Sequence, residues 1–208
     1  MKILVTGGAG FIGSQIVDEY VRLGHQVSIL DNLSTGRKRN INPAAKFCEA
    51  DIRDAARVKE VFEQEKFDVM NHHAAQMDVR RSVEDPVFDA SVNVLGVLTL
   101  LEQCMKTGVK RIVFASSGGA IYGEQDYFPA DELHPTRPIS PYGVAKLTTE
   151  HYLFYYKAVY GIDSESAVRK HLWSAAESRR RSRCRGNLHN KTPERAAAGY
   201  QRRWKANA

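Results

Sequence analysis

Thr6-Gly7-Gly8-Ala9-Gly10-Phe11-Ile12-Gly13 decides the fold. It closes a short apolar run, Lys2 to Thr6, and opens into Phe11 to Leu23, where Ile12, Ile16, Val17, Tyr20, Val21 and Leu23 recur at helical spacing. The string reads as strand, tight turn, helix. Of the glycines at 7, 10 and 13, the first permits the turn and the second lets the backbone approach a pyrophosphate. The third lets the helix pack closely on the strand, and the helix N-terminus offers unpaired N–H groups to an anion.

Outward from this loop, Gly24 ends the helix, Gln26 to Leu30 forms a second strand, and Asp31 stands at its C-terminal end. A carboxylate there, 18 residues after Gly13, can accept hydrogen bonds from both ribose hydroxyls of an adenosine and repels a 2′-phosphate. NAD is therefore expected over NADP, with Arg37, Lys38 and Arg39 nearby weighing the other way. Further on come a strand near Lys46 to Glu49, a helix near Ala55 to Gln64, a strand at Phe67 to Asn71 and a long helix from about Pro86 to Thr107. The strand Arg111 to Ala115 and a helix from about Pro141 to Tyr160 complete the series. Strands alternating with helices of this length predict an α/β fold, a doubly wound parallel sheet with helices on both faces.

After Gly161 the pattern stops. The remaining residues carry almost no Val, Ile or Phe for further buried strands, so the sheet is expected to end on an unpaired edge. This divides the chain into a dinucleotide-binding domain, 1–163, and a basic tail, 164–208. The net charge of +6 divides the same way: residues 1–163 hold 18 Lys/Arg against 21 Asp/Glu, and residues 164–208 hold 12 against 3. An arginine run including Arg179, Arg180, Arg181, Arg183 and Arg185 attracts polyanions without specificity, so no specific nucleic-acid partner is expected. Cys48, Cys104 and Cys184 lack metal-type spacing, and the chain opens directly as a strand without a signal or membrane segment. A reducing, cytoplasmic setting is expected.

Ser140-Pro141-Tyr142-Gly143-Val144-Ala145-Lys146 contains Y-x-x-x-K, which on a helix puts both side chains one turn apart on one face. The ammonium is expected to lower the phenol pKa and to reach the nicotinamide ribose, leaving a tyrosine able to exchange a proton with a sugar hydroxyl. Ser116 and Ser117 follow the strand Arg111 to Ala115, at the carboxyl edge where open α/β sheets bind ligands. Either hydroxyl can cap the strand end; Ser117 is taken as the one that shares the substrate's hydrogen bond with Tyr142. His72 and His73 do not suggest a metal, because adjacent residues at a strand end point opposite ways and no third ligand has suitable spacing.

The motifs T-G-G-A-G-F-I-G (6–13), L-D-N-L-S-T-G (30–36), D-I-R-D (51–54), H-H-A-A-Q (72–76), F-A-S-S-G-G-A-I-Y-G-E (114–124) and P-I-S-P-Y-G-V-A-K (138–146) occur in one order. In that order the chain resembles the nucleotide-sugar epimerases of the extended short-chain dehydrogenase/reductase family, UDP-glucose 4-epimerases above all. The resemblance implies a Rossmann-like domain binding NAD, a UDP-sugar substrate, and a homodimer formed through a four-helix interface of the helices near 86–107 and 141–160. It implies that Gly7, Gly10, Phe11, Ile12, Gly13, Asp31 and Asn32 hold the dinucleotide, with Asp51 and Ile52 flanking the adenine. Ala74, Ala75 and Gln76 would line the dinucleotide, Asn93 would brace the centre, and Ser116, Tyr142 and Lys146 would also touch it. Ser117, Tyr142 and Lys146 would be the catalytic set. Related sugar dehydratases carry an acidic pair after the strand-end Ser/Thr, where this chain has Gly118 and Gly119, so an epimerase is favoured.

The family pattern continues with a strand reading L-R-Y-x-N-x-Y-G-P-R-Q and a substrate-binding lobe, neither of which follows Asp163 here. Reading allowed codons one base later from Ser164 to His189 yields V-S-L-R-Y-G-N-I-Y-G-P-R-Q-N-P-D-G-E-A-G-V-V-A-I-F-T. Trp173 has a single codon, so its shifted glycine is forced. A frameshift near Asp163 is the hypothesis this supports, with the substrate lobe lost from the reading frame. Resequencing the coding DNA is expected to show a one-base change near that codon; unbroken agreement with the printed tail would sink the idea.

Overall fold

The computed structural model describes residues 1–127 and 129–166; the tail expected from 164 lies outside the described residues from 167 onward. Six parallel strands form one sheet in the order β3-β2-β1-β4-β5-β6. They are β1 (Lys2–Thr6), β2 (Gln26–Asp31), β3 (Lys46–Glu49), β4 (Val69–His72), β5 (Arg111–Phe114) and β6 (Asp163–Ser166). This order places the switch point between β1 and β4, where a crevice opens beyond the carboxyl ends of both strands.

Two cores cover the sheet. On one face α1 (Phe11–Arg22) sets Val17 against Ile3, Val5, Val27 and Ile29. On the other, α2 (Ala55–Gln64), α5 (Val97–Thr107) and α7 (Pro141–Tyr160) bury Phe62, Leu100, Leu101 and Leu153 against Leu4, Met70, Ile112 and Phe114. The strands are apolar nearly throughout because both faces are covered. At the start of α7, Ser140 accepts a hydrogen bond from the Gly143 N–H (3.1 Å) and Pro141 occupies the first turn; Gly161 ends the helix at φ 74°.

The long helix predicted from Pro86 to Thr107 is present but not regular. It consists of α4 (Pro86–Ala90), a π-helical turn (Ser91–Gly96) and α5, preceded by the short α3 (Val79–Glu84). The extra residue in the π turn rotates Asn93 inward, where it is 3% exposed, and lets Gly96 press on Ile52, where a Cβ would stand 2.7 Å from Cγ1. Its 22 residues are apolar enough to cross a bilayer by length and composition, yet Leu100, Leu101 and Cys104 lie in the protein core.

Beyond Gly161 the structure adds one strand that the sequence pattern did not predict, and among the described residues this strand, not β5, forms the edge of the sheet. β6 pairs in parallel with β5 from Arg111↔Asp163 to Phe114↔Ser166 and crosses the boundary drawn at Asp163. Its sequence, Asp-Ser-Glu-Ser, has no strand-like side chains. Pairing draws instead on backbone hydrogen bonds, on Arg111 reaching Glu165 and Asp163, and on the Ser166 hydroxyl donating to Glu150.

Candidate active site

The glycine loop is built by its own backbone. Gly7 has φ +70° and donates to the Leu30 carbonyl (2.8 Å), and Gly10 donates to the Gly7 carbonyl (3.0 Å). A Cβ on Gly7 would lie 2.6 Å from the Ala74 nitrogen, and one on Gly13 would lie 2.2 Å from the Gly7 carbonyl oxygen. Gly13 thus lets the helix close on the loop itself, not on the strand as expected. Gly10 caps α1 without a side-chain hydrogen bond, and Phe11 and Ile12 beside it are exposed, so the helix N-terminus stays open to an anion.

Asp31 sits beneath this loop, 7% exposed, accepting from Ala9 N–H (3.0 Å) on one oxygen and Leu33 N–H (2.8 Å) on the other. Each oxygen keeps a lone pair for a further donor. The turn that follows runs through Leu33 at φ 58° and returns to the loop, where Arg37 N–H and the Asn40 amide both donate to the Ala9 carbonyl. Gly36 is required there, since a Cβ would meet the Asp31 carboxylate at 2.9 Å. Asn32 donates to Asp51 (2.9 Å), and Arg53 grips the same carboxylate, holding it far below the usual range.

At the switch point the Thr6 hydroxyl joins His72 Nδ1 (2.6 Å), and the Ala74 N–H donates to the same hydroxyl (3.3 Å). Burial holds His72 neutral and pushes His73 down to about 4, with Lys146 adding to both shifts. Gln76 and Asn93 bond reciprocally: Gln76 N–H donates to the Asn93 side chain (3.0 Å), and the Asn93 amide donates to the Gln76 carbonyl (2.8 Å). Ala75 continues the same strand-end segment, half-buried between Ala74 and Gln76.

The Ser, Tyr and Lys residues converge from β5 and α7. The Ser117 side chain acts on the Tyr142 phenol in the direction that favours its ionised form, whereas the Ser116 hydroxyl turns away to donate to Glu150 (2.6 Å). This separates two serines that the sequence left open. Lys146 is 5% exposed; its ammonium donates to the Ala115 carbonyl (2.9 Å) and lies 4.7 Å over the Phe114 ring and 5.6 Å over the Tyr142 ring. Burial lowers it to about 8, with Asp89 opposing the shift. The phenol departs from expectation. Burial pushes Tyr142 up, Ser117 opposes this, and Asp89 adds to the rise; Lys146 does not lower it.

The chain as a whole has counterparts among known proteins. A model of the NAD dependent epimerase/dehydratase family matches residues 3–195. The chain belongs to that family. It is 54% identical over 164 residues to a Methanocaldococcus jannaschii protein provisionally assigned as a UDP-glucose 4-epimerase, covering 77% of this chain and 52% of that one. To the UDP-glucose 4-epimerase of Mycolicibacterium smegmatis it is 44% identical, covering 78% and 53%. Among solved structures it resembles UDP-glucose 4-epimerase of Thermotoga maritima with UDP-glucose (TM-score 0.79, 45% identity, 80% of this chain and 54% of that one). The Thermus thermophilus UDP-glucose 4-epimerase in complex with NAD is similar (TM-score 0.78, 48% identity, 80% and 54%). The chain spans about half the length of the curated relatives it matches.

As a member of this NAD-dependent epimerase/dehydratase family, the chain shows site residues that its sequence did not flag. Glu150 ties Ser116 to Ser166, and Thr149 donates to the Asn93 carbonyl (3.1 Å). Glu150 lies four residues after Lys146, the one available signal. The roles of Thr6 and Asn40 gave no signal, since their partners, His72 and Ala9, are distant in sequence.

Lys146 binds a proton less tightly folded, at about 8, than at its ordinary value of 10.5, so its burial weakens the fold fully below the first value and not above the second. Lys146→Met is expected to raise unfolding stability at neutral pH by about 1–3 kcal/mol, the gain shrinking as pH rises through that window. Urea unfolding at several pH values checks it, and a pH-independent loss of stability would contradict it.

Proposed function

We propose that this chain is the dinucleotide-binding half of a nucleotide-sugar 4-epimerase of the UDP-glucose/UDP-galactose type. The observation that carries the reading is Lys146, buried 5.6 Å from the Tyr142 ring one turn before it on α7 and anchored on the Ala115 carbonyl at the carboxyl edge of β5. The residues present fit NAD: an open helix terminus for the pyrophosphate, a loop whose glycines leave no room for Cβ atoms, and an Asp31 carboxylate with free lone pairs for ribose hydroxyls. Asp51 and Ile52 would border the adenine, and Ala74, Ala75, Gln76 and Asn93 the middle of the molecule.

NAD, when bound, would supply a reversible two-electron acceptor for the sugar C4. Tyr142 takes the proton of the C4 hydroxyl as that carbon is oxidised, and returns it after the ketose has presented its other face. Ser117 donates a hydrogen bond that favours the phenolate and then the C4 carbonyl oxygen. Lys146 adds positive charge beneath the Tyr142 ring and orients the ribose. The nucleotide-sugar wall opposite Tyr142 belongs to the half of the relatives' length that this chain does not span, so residues 1–208 alone are expected to bind NAD with little or no turnover.

A homodimer through the helices Pro86–Thr107 and α7 forms part of the proposal. Ile139 and Val144 expose 74% and 50% of their surface at a groove of about 620 Å³ between these helices, and Val87 and Leu95 on the first of them expose 78% and 60%. Leu95→Glu is expected to convert a dimer to a monomer in sedimentation equilibrium; an unchanged mass would remove this part.

The decisive experiment joins residues 1–163 to the second half of a relative and follows UDP-galactose conversion to UDP-glucose. Conversion is expected, and Tyr142→Phe should lower it by about 10²–10⁴-fold. NAD binding without conversion would leave a non-catalytic dinucleotide-binding domain, or one serving another sugar-nucleotide reaction, and failure to bind NAD would end the reading.

A further inference from the structure

Asp89 is the most buried carboxylate in the site, 1% exposed on α4, and neither the glycine loop nor the Ser117–Tyr142–Lys146 set accounts for it. One of its oxygens accepts from the Gln76 amide (3.0 Å) and the Asn93 amide (2.9 Å). The other is buried without a hydrogen-bond partner. Burying a carboxylate costs several kcal/mol unless charge or hydrogen bonds compensate it, so a half-satisfied one needs an explanation.

The explanation lies across the centre of the site. Burial pushes Asp89 up, its bonds to Gln76 and Asn93 and then the Lys146 charge oppose this, and Asp89 in turn acts on Lys146 and Tyr142 as a negative charge. The other titratable groups around Lys146 are His72 at the end of β4 and His73 just after it, both held neutral, and Tyr142 and Glu150 on its own helix. Glu150 is engaged with Ser116 and Ser166. We propose that Asp89 is a positioning residue that clamps Gln76 and Asn93 with one oxygen and, its other oxygen buried without a partner, serves as a counter-charge to Lys146 on the helix packed against α4. Through Gln76 and Asn93 it fixes the strand-end segment after β4 and the π turn; through charge it keeps Lys146 an ammonium beside Tyr142. Its importance for turnover rests on the epimerase reading, whereas the coupling itself does not.

The test uses the full 208-residue chain with lysine labelled at Cε and Nζ, titrated by NMR. The Lys146 resonance is identified by its loss in Lys146→Met. Asp89→Asn keeps the shape and one acceptor, and is expected to lower the Lys146 midpoint by roughly one pH unit. A merely structural role would change the melting temperature and leave that midpoint in place, which would overturn the proposal. Should Asp89→Asn fail to fold, the coupling is read from the other side, because it is reciprocal. With aspartate labelled at Cγ, the Asp89 midpoint is expected to rise in Lys146→Met, and no rise would overturn the proposal equally. Neither titration needs NAD or sugar, so a chain that binds no NAD would refute the epimerase reading and still report on Asp89.

Discussion

The parallel pairing of β1 with β4, in the register Thr6↔His72, is the constraint on which the site depends. It brings together two chain segments more than sixty residues apart, and the buried bond from Thr6 to His72 Nδ1 pins the register at the strand ends. A slip of one residue would turn Thr6 to the opposite face and break that bond. The same register seats Gly7 against the Ala74 backbone so closely that no Cβ fits between them. The phosphate-binding loop is therefore rigid because the neighbouring strand end fills the space behind it, and the N-terminus of α1 inherits its direction from that contact.

Features encoded at short spacing were legible in the sequence. The glycines at 7, 10 and 13, Asp31 at a strand end and the Tyr142–Lys146 turn each depend on local geometry, and the order of strands and helices follows from hydrophobic period. The π turn was not legible: one extra residue in a 22-residue helix hardly alters the apolar pattern, yet it decides where Asn93 and Asp89 face. β6 was hidden for the opposite reason. Its side chains carry no strand signal, and its stability comes from backbone pairing with β5 and from charges on Arg111.

The Tyr142 phenol shows why a motif does not settle the electrostatics it is named for. Proximity of Lys146 suggested a lowered pKa, but burial pushes the phenol up and Lys146 does not offset it. Lys146 is itself buried and donates to Ala115, so its charge is partly committed to the backbone at the end of β5. Ser117 is the group that favours the phenolate directly.

The charges at the centre also conflict with stability. Asp89, Lys146, Glu150 and His72 are all at most 5% exposed, and each would be easier to bury as an apolar side chain. Asp89 and Lys146 belong to different elements, so their opposite charges favour one arrangement of α4 against α7 over others of similar packing. Apolar contacts between the same helices could slide, whereas a carboxylate that must meet Gln76, Asn93 and the field of Lys146 together admits little movement. The cost of burying these groups is thus the physical means by which α7, and with it the Tyr142 phenol, is held in one position against α4 and the end of β5.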